Sequence, residues 1–422
     1  MLAPQFRRRP ASAVPVRFFI LALVGFVVFG LALAADPRAL ALPPAPRGIL
    51  LLHLCVLGWI TPAMMGADYQ LVPVVLGRPL AASCWPVAVF WLYAVGAWVF
   101  LAGWALQRPA WVAFGGVAAG CALLGFVAHI GTALLRGRGG GPVGAGLAGG
   151  LAFLAVVAGL GPWLALADDR LVSAPHVLPW MHAGAGLAGW LGLTIIGASY
   201  QLAPFFAATP KGGRQTSAWV ALAAVGGGAL WLLMAPAAAI PDLPGALAVW
   251  VGVGLWGIDI IGIVRRGRQA HREPAAWTVV AAAASLWLGA SAAAIAIAGG
   301  APPGVALAGA FLGIMAGPSL LITGQLQKIL PFMAALDASV AAKRQGRVPK
   351  TEALFPRGRG FTLLGVLGSG CTLTTVGLVV AVWPLVRIGA IVLAVAALGV
   401  AASQAVVLRA WRRAGAVAAG GR

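Results

Sequence analysis

MHAGAGLAGWLGLTIIGASYQLAPFF, Met181 to Phe206, is the stretch that decides the fold, because a copy of it occurs earlier in the chain and a degraded copy later. The earlier copy, GWITPAMMGADYQLVPV, shares Gly58-Trp59, Gly66, Tyr69-Gln70-Leu71 and Pro73 with Gly189-Trp190, Gly197, Tyr200-Gln201-Leu202 and Pro204. The later copy, GPSLLITGQLQKILPF, keeps Gly324, Ile329 and Pro331 but has Gln327-Lys328 where the others have Tyr-Gln. The three prolines, each read as ending its helix, are 131 and 127 residues apart. That period is too long for a solenoid repeat and suits a unit of four helices.

The setting of the repeats is apolar throughout. Hydrophobic residues make up 61% of the 422 and charged residues 9%, far from the balance of a soluble domain. Runs of about 20 apolar residues, enough to cross a bilayer, occur twelve times. The expected fold is therefore all-α and polytopic, with twelve transmembrane helices in three pseudo-threefold repeats of four, over about 17–134, 143–264 and 274–409. The copies fall on the second helix of each repeat, at 48–72, 178–206 and 303–333. One transmembrane domain spans 17–411. It is preceded by a basic arm (1–16), interrupted by a basic loop (337–360) and followed by a tail (412–422).

A net charge of +20 invites a nucleic-acid reading, but its distribution argues for topology instead. With the N-terminus inside, 23 of the 29 Lys and Arg fall in the loops and termini of one side. That asymmetry predicts an inner (cytoplasmic) membrane protein with both termini cytoplasmic. The bilayer is the expected partner and nucleic acid is not. The apolar run after Arg17 and the Ala-rich LALAAD resemble a signal peptide; the three-by-four count predicts that this helix is retained. Cys55, Cys84, Cys121 and Cys371 are isolated and suggest neither a disulfide framework nor a CxxC site.

Candidate chemistry is sparse. His271 sits in an Arg-rich loop, His129 near a helix end and His176 in a short loop, where solvation or capping is the expected role. His53 and His182 lie early in the first two repeat helices, at similar depth. An ionisable residue within the membrane is a candidate functional group, and a hydrogen bond to a neighbouring carbonyl is its structural alternative. Counted from the shared Gly-Trp, the two positions differ by two residues, about 200° around a helix. They therefore occupy opposite flanks of equivalent helices, facing either one shared gap or separate gaps. Three more charges fall within spans: Asp68, Asp259 and Lys328. Asp68 and Lys328 are near equivalent repeat positions and are expected to form either an interhelical ion pair or part of a proton or ion relay. The Tyr-Gln pairs are expected only to shape helix ends.

Three four-helix arcs with histidines in the outer halves of repeat helices resemble the haem-copper oxidase subunit I superfamily, more closely its small non-oxidase relatives of the NnrS type. Their pattern HxHLNxxGWxxLTxxGxxYxLxP is met here by His53-Leu54 with Gly58-Trp59 and by His182 with Gly189-Trp190 and Leu193-Thr194. The resemblance implies that His53 and His182 share the gap between the second and sixth helices, holding one b-type haem or a copper ion. It implies a role in electron transfer, nitric oxide response or metal handling, with a membrane or periplasmic redox partner. An oxidase of this superfamily is expected to use six histidines, and this chain has five, with none in the seventh or tenth helix, where Gly309 and Phe311 stand instead. A complete oxygen- or nitric oxide-reducing centre is thus not expected, and the reading leans away from an enzyme. A transporter without cofactor and a cofactor-less assembly subunit remain the alternatives.

Overall fold

The structure, a computed structural model, describes residues 13–41, 45–80, 84–137, 141–209, 215–342 and 351–420. Among them there is no strand, and twelve helices are long and apolar enough to cross a membrane: α1 (Ala13–Ala35), α2 (Pro46–Leu76), α3 (Trp85–Leu106), α4 (Pro109–Arg136), α5 (Pro142–Asp168), α6 (Leu178–Ala207), α7 (Thr216–Ala238), α8 (Leu243–Arg265), α9 (Pro274–Ile297), α10 (Pro303–Asp337), α11 (Arg357–Val379) and α12 (Trp383–Arg412). The protein is an all-α, multi-pass membrane protein. Prolines at the first turn of eight of these spans, α2 to α6 and α8 to α10, start them where a missing N–H costs nothing.

Consecutive helices pack along one another from α3 through α6 and from α7 through α10; α11 packs on α12, and α12 returns to α1, which lies against α2. The repeat helices sit inside this arrangement. Of their most apolar stretches 67% (α2), 56% (α6) and 61% (α10) is buried, against 50% or less in every other span. The outward faces carry large apolar side chains such as Trp91, Phe114 and Ile258, as a surface solvated by lipid should. Trp85, Trp111, Trp163, Trp180 and Trp277, near span ends, are all exposed, the placement of interfacial anchors.

Each repeat helix contains a π-helical segment: Leu54–Ile60 in α2, Ala185–Gly192 in α6 and Phe311–Ala316 in α10. They begin nineteen, nineteen and twenty residues before Pro73, Pro204 and Pro331. A rare element recurring at one register is an independent mark of the triplication, present even in α10, whose sequence copy is the weakest. Each repeat helix also crosses the helix before it at a pair of glycines. A methyl group on Gly25 would overlap the Gly58 carbonyl, one on Gly146 would lie 2.6 Å from the Gly197 Cα, and one on Gly289 2.7 Å from the Gly313 Cα. Backbones this close leave no room for a Cβ.

Two expectations are corrected. The prolines do not end their helices: Pro73 and Pro204 lie inside the last turn, and Pro331 lies well inside a helix that runs on to Ala342. A proline removes a single backbone bond and bends a helix without stopping it when neighbours hold the rest. The 337–360 loop is correspondingly shorter, since it begins with that helical extension and ends with the short helix Thr351–Leu354 and the start of α11. Its residues 343–350 lie outside the described residues, as do residues 1–12 of the basic arm. The tail continues α12 helically to Gly420.

Candidate functional site: a histidine pair between two repeat helices

His53 is the last residue before the π segment of α2, and His182 stands three residues before that of α6. Both precede the inserted turn, so the two-residue offset survives it and the rings turn toward one another. Their centres are 6.5 Å apart with 25° between the planes. The gap is completed from the outer helices. The Phe100 ring of α3 is inclined to that of His53 with the two centres 5.2 Å apart, and Gly161 of α5 lies so close that a Cβ there would be 3.3 Å from His182 Cε1. Glycine gives His182 its room.

The hydrogen bonds decide which nitrogens are available. His53 Nδ1 donates to the Ile49 carbonyl, one turn back, at 2.9 Å. That bond requires the proton on Nδ1 and leaves the Nε2 lone pair free of it. His182 Nδ1 is buried with no hydrogen-bond partner. Two imidazoles binding one metal from opposite sides, each at about 2 Å, bring their ring centres to roughly 6 Å apart. The observed separation fits a single metal centre between them. No third ligand joins the pair: among the described residues no group of three or more His, Cys, Asp or Glu is arranged to hold a metal ion.

The remaining sequence candidates fall elsewhere. His176 is exposed, and His271 lies in the single turn Ala270–Arg272, its side chain outside the described set. His129, expected at a capping position, packs its ring 5.9 Å from that of Tyr69. Asp259 accepts hydrogen bonds from Tyr200 Oη (3.0 Å) and Ser217 Oγ (2.6 Å), so one Tyr of the repeated Tyr-Gln pairs ties α6 to α8.

Asp68 and Lys328 are not paired. Lys328 Nζ bonds Glu273 at 2.8 Å, Arg357 bonds the other Glu273 oxygen at 3.3 Å, and Arg357 also meets Glu352 at 2.7 Å. The reason is register: Asp68 stands five residues before its proline and Lys328 three, which points them about 200° apart on equivalent helices. Lys328 turns outward to the start of α9, while Asp68 turns inward to the space between the three repeat helices.

Sequence reasoning missed Glu273. Its signal was scarcity, one of nine acidic residues in the chain, standing directly before the proline that opens α9. Phe100 and Gly161 carried no sequence signal, because only packing brings α3 and α5 to the pair. Compared with known protein families and with curated proteins, the chain matches none.

Proposed function

We propose that this chain is a haem-copper oxidase subunit I-like membrane protein that holds one b-type haem or one copper ion between His53 and His182. The observation that carries the reading is the pair itself, two imidazoles from opposite flanks of two equivalent helices meeting across one gap with their ring centres 6.5 Å apart. His53 would bind through Nε2, since Nδ1 is engaged with Ile49. The buried, unpartnered Nδ1 of His182 supports a ring held in place for a ligand more than for a protein hydrogen bond. Bound there, haem or copper would supply a one-electron couple. The protein's part is to fix the two rings, to exclude water with Phe100, and to keep the α5 backbone close through Gly161.

With five histidines in the chain, the role is electron transfer, nitric oxide response or metal handling and not reduction of oxygen, and a membrane or periplasmic redox protein is its partner. The one-sided distribution of Lys and Arg supports an inner-membrane location with both termini cytoplasmic.

The test is a reduced-minus-oxidised visible spectrum with metal analysis on detergent-purified wild type, His53→Ala and His182→Ala, expressed with haem and copper supplied. A b-type spectrum, or one copper per chain, is expected in the wild type and lost in both variants. A colourless, metal-free wild type would sink the reading.

A further inference from the structure

The turn between α8 and α9 carries Arg265, Arg266 and Arg268 within four residues. All three are exposed, and among the described residues no carboxylate pairs with them. Other arginines at that end of the helices are spoken for: Arg78 donates to the Ala133 carbonyl (3.2 Å), and Arg357 is held by Glu273 and Glu352. The carboxylates that flank the turn, Asp259 and Glu273, are buried and engaged elsewhere. The turn itself is fixed to the end of α6. The Gln269 N–H donates to the Ala207 carbonyl (3.1 Å), and a Cβ on Gly267 would lie 2.6 Å from that oxygen. Thr209 Oγ1 adds a bond to the Ile263 carbonyl (2.9 Å).

One of the three arginines is aimed back along the membrane span. Arg266 folds over the preceding turn, where a Cβ on Gly262 would meet its Nη1 at 3.3 Å; the glycine leaves the guanidinium that place. Leu255, Asp259, Gly262 and Arg266 are spaced four, three and four apart and so share one face of α8. That face lies on the seam with α7, since Asp259 meets Ser217 there. Along the same seam runs a shallow apolar groove lined by Thr216, Ser217, Val220 and Leu255, with Val220 50% exposed. At 1.5 Å per residue the levels of Asp259 and Leu255 lie roughly 9 and 15 Å from Arg265, within the half-thickness of about 15 Å of one leaflet's hydrocarbon. Trp277, exposed in the first turn of α9, marks the headgroup level beside the turn.

We propose that this seam is a binding site for one anionic phospholipid, its phosphate on Arg266 and Arg268 and an acyl chain in the groove between α7 and α8. A guanidinium matches phosphate oxygens with paired N–H donors, and basic side chains at the membrane surface attract anionic headgroups. A fixed turn spares the ordering that a mobile basic loop would have to undergo on binding. The site is independent of whatever the histidine pair holds.

The experiment titrates phosphatidylglycerol or phosphatidylcholine into detergent-purified full-length protein and counts bound lipid by native mass spectrometry. The variants are Arg266→Gln/Arg268→Gln, Val220→Trp to fill the groove, and Arg409→Gln/Arg412→Gln as a control that removes equal charge elsewhere. Wild type and the control are expected to bind a first phosphatidylglycerol in preference to phosphatidylcholine. In Arg266→Gln/Arg268→Gln and in Val220→Trp that first binding is expected to weaken about tenfold, and glycerol phosphate is expected not to displace the lipid. No preference in wild type, or an equal loss in the control, would overturn the site in favour of diffuse charge. Displacement by glycerol phosphate would remove the acyl chain from the proposal and so overturn it as a lipid site. If Arg266→Gln/Arg268→Gln does not fold, Val220→Trp decides alone, and unchanged binding there counts against the seam.

Discussion

A histidine's usefulness in a membrane depends on which nitrogen its neighbours leave open. At His53 the Ile49 carbonyl takes Nδ1, and at His182 Nδ1 is left without a hydrogen-bond partner. The ring of His182 keeps its place because residue 161 is a glycine, so the pair is as sensitive to α5 as to its own helices. Gly161→Leu is predicted to push the imidazole aside. The expected outcome is loss of the cofactor spectrum or bound copper with helical circular dichroism intact; full retention of cofactor in that variant would show that α5 does not position the ring. His129 shows the opposite lesson, since a residue read as a helix-end base is seated beside a tyrosine ring.

Among the elements, the π segments explain why the repeat helices present functional side chains to both sides. A π turn shifts everything after it around the helix relative to what precedes it. His53 and His182, before the shift, face the outer gap toward α3 and α5; Asp68, after it, lines the space between the three repeat helices. Trp59, inside the first π segment, stacks on Phe26 of α1 (4.3 Å) and donates to Ser319 Oγ of α10 (3.0 Å), tying two repeats at the same level. At the other end of the helices, Glu273 gathers Lys328 and Arg357 and so joins α9, α10 and α11. Its side chain is 3% exposed while its partners are 29% and 37% exposed. Removing it strands Lys328, which solvent partly screens, while Arg357 keeps Glu352. Glu273→Gln is predicted to destabilise the protein by about 2 kcal/mol, below the range for a fully buried pair, read as a lower denaturation midpoint. A change within 0.5 kcal/mol would mark the cluster as incidental.

Over the whole molecule, closure runs through α1. It packs against both α2 and α12, and buries Phe18, Phe19, Phe26 and Phe29. Cleavage after Ala34 would strip α2 and α12 of that cover. The mature protein is therefore predicted to retain α1, and intact-mass measurement on protein from its native membrane checks it; a mass lacking the first 34 residues would mean the bundle closes without it.

Hydrophobicity and its period were enough to determine twelve spans and their grouping in threes of four, because lipid forces every backbone polar group into helix and leaves the sequence little freedom to disguise it. The same counting put His53 and His182 on opposite flanks, though two arrangements of the gap stayed open until the packing chose one. Pairing of charges was beyond it. Asp68 and Lys328 looked equivalent in the alignment, yet a two-residue difference in register sent them to opposite faces. The π turns, Glu273 as the true partner of Lys328, the glycine that makes room for His182 and the space between the repeat helices all depend on contacts between helices distant in sequence. Such contacts are set by which small residues let backbones approach, and only the tertiary structure decides that.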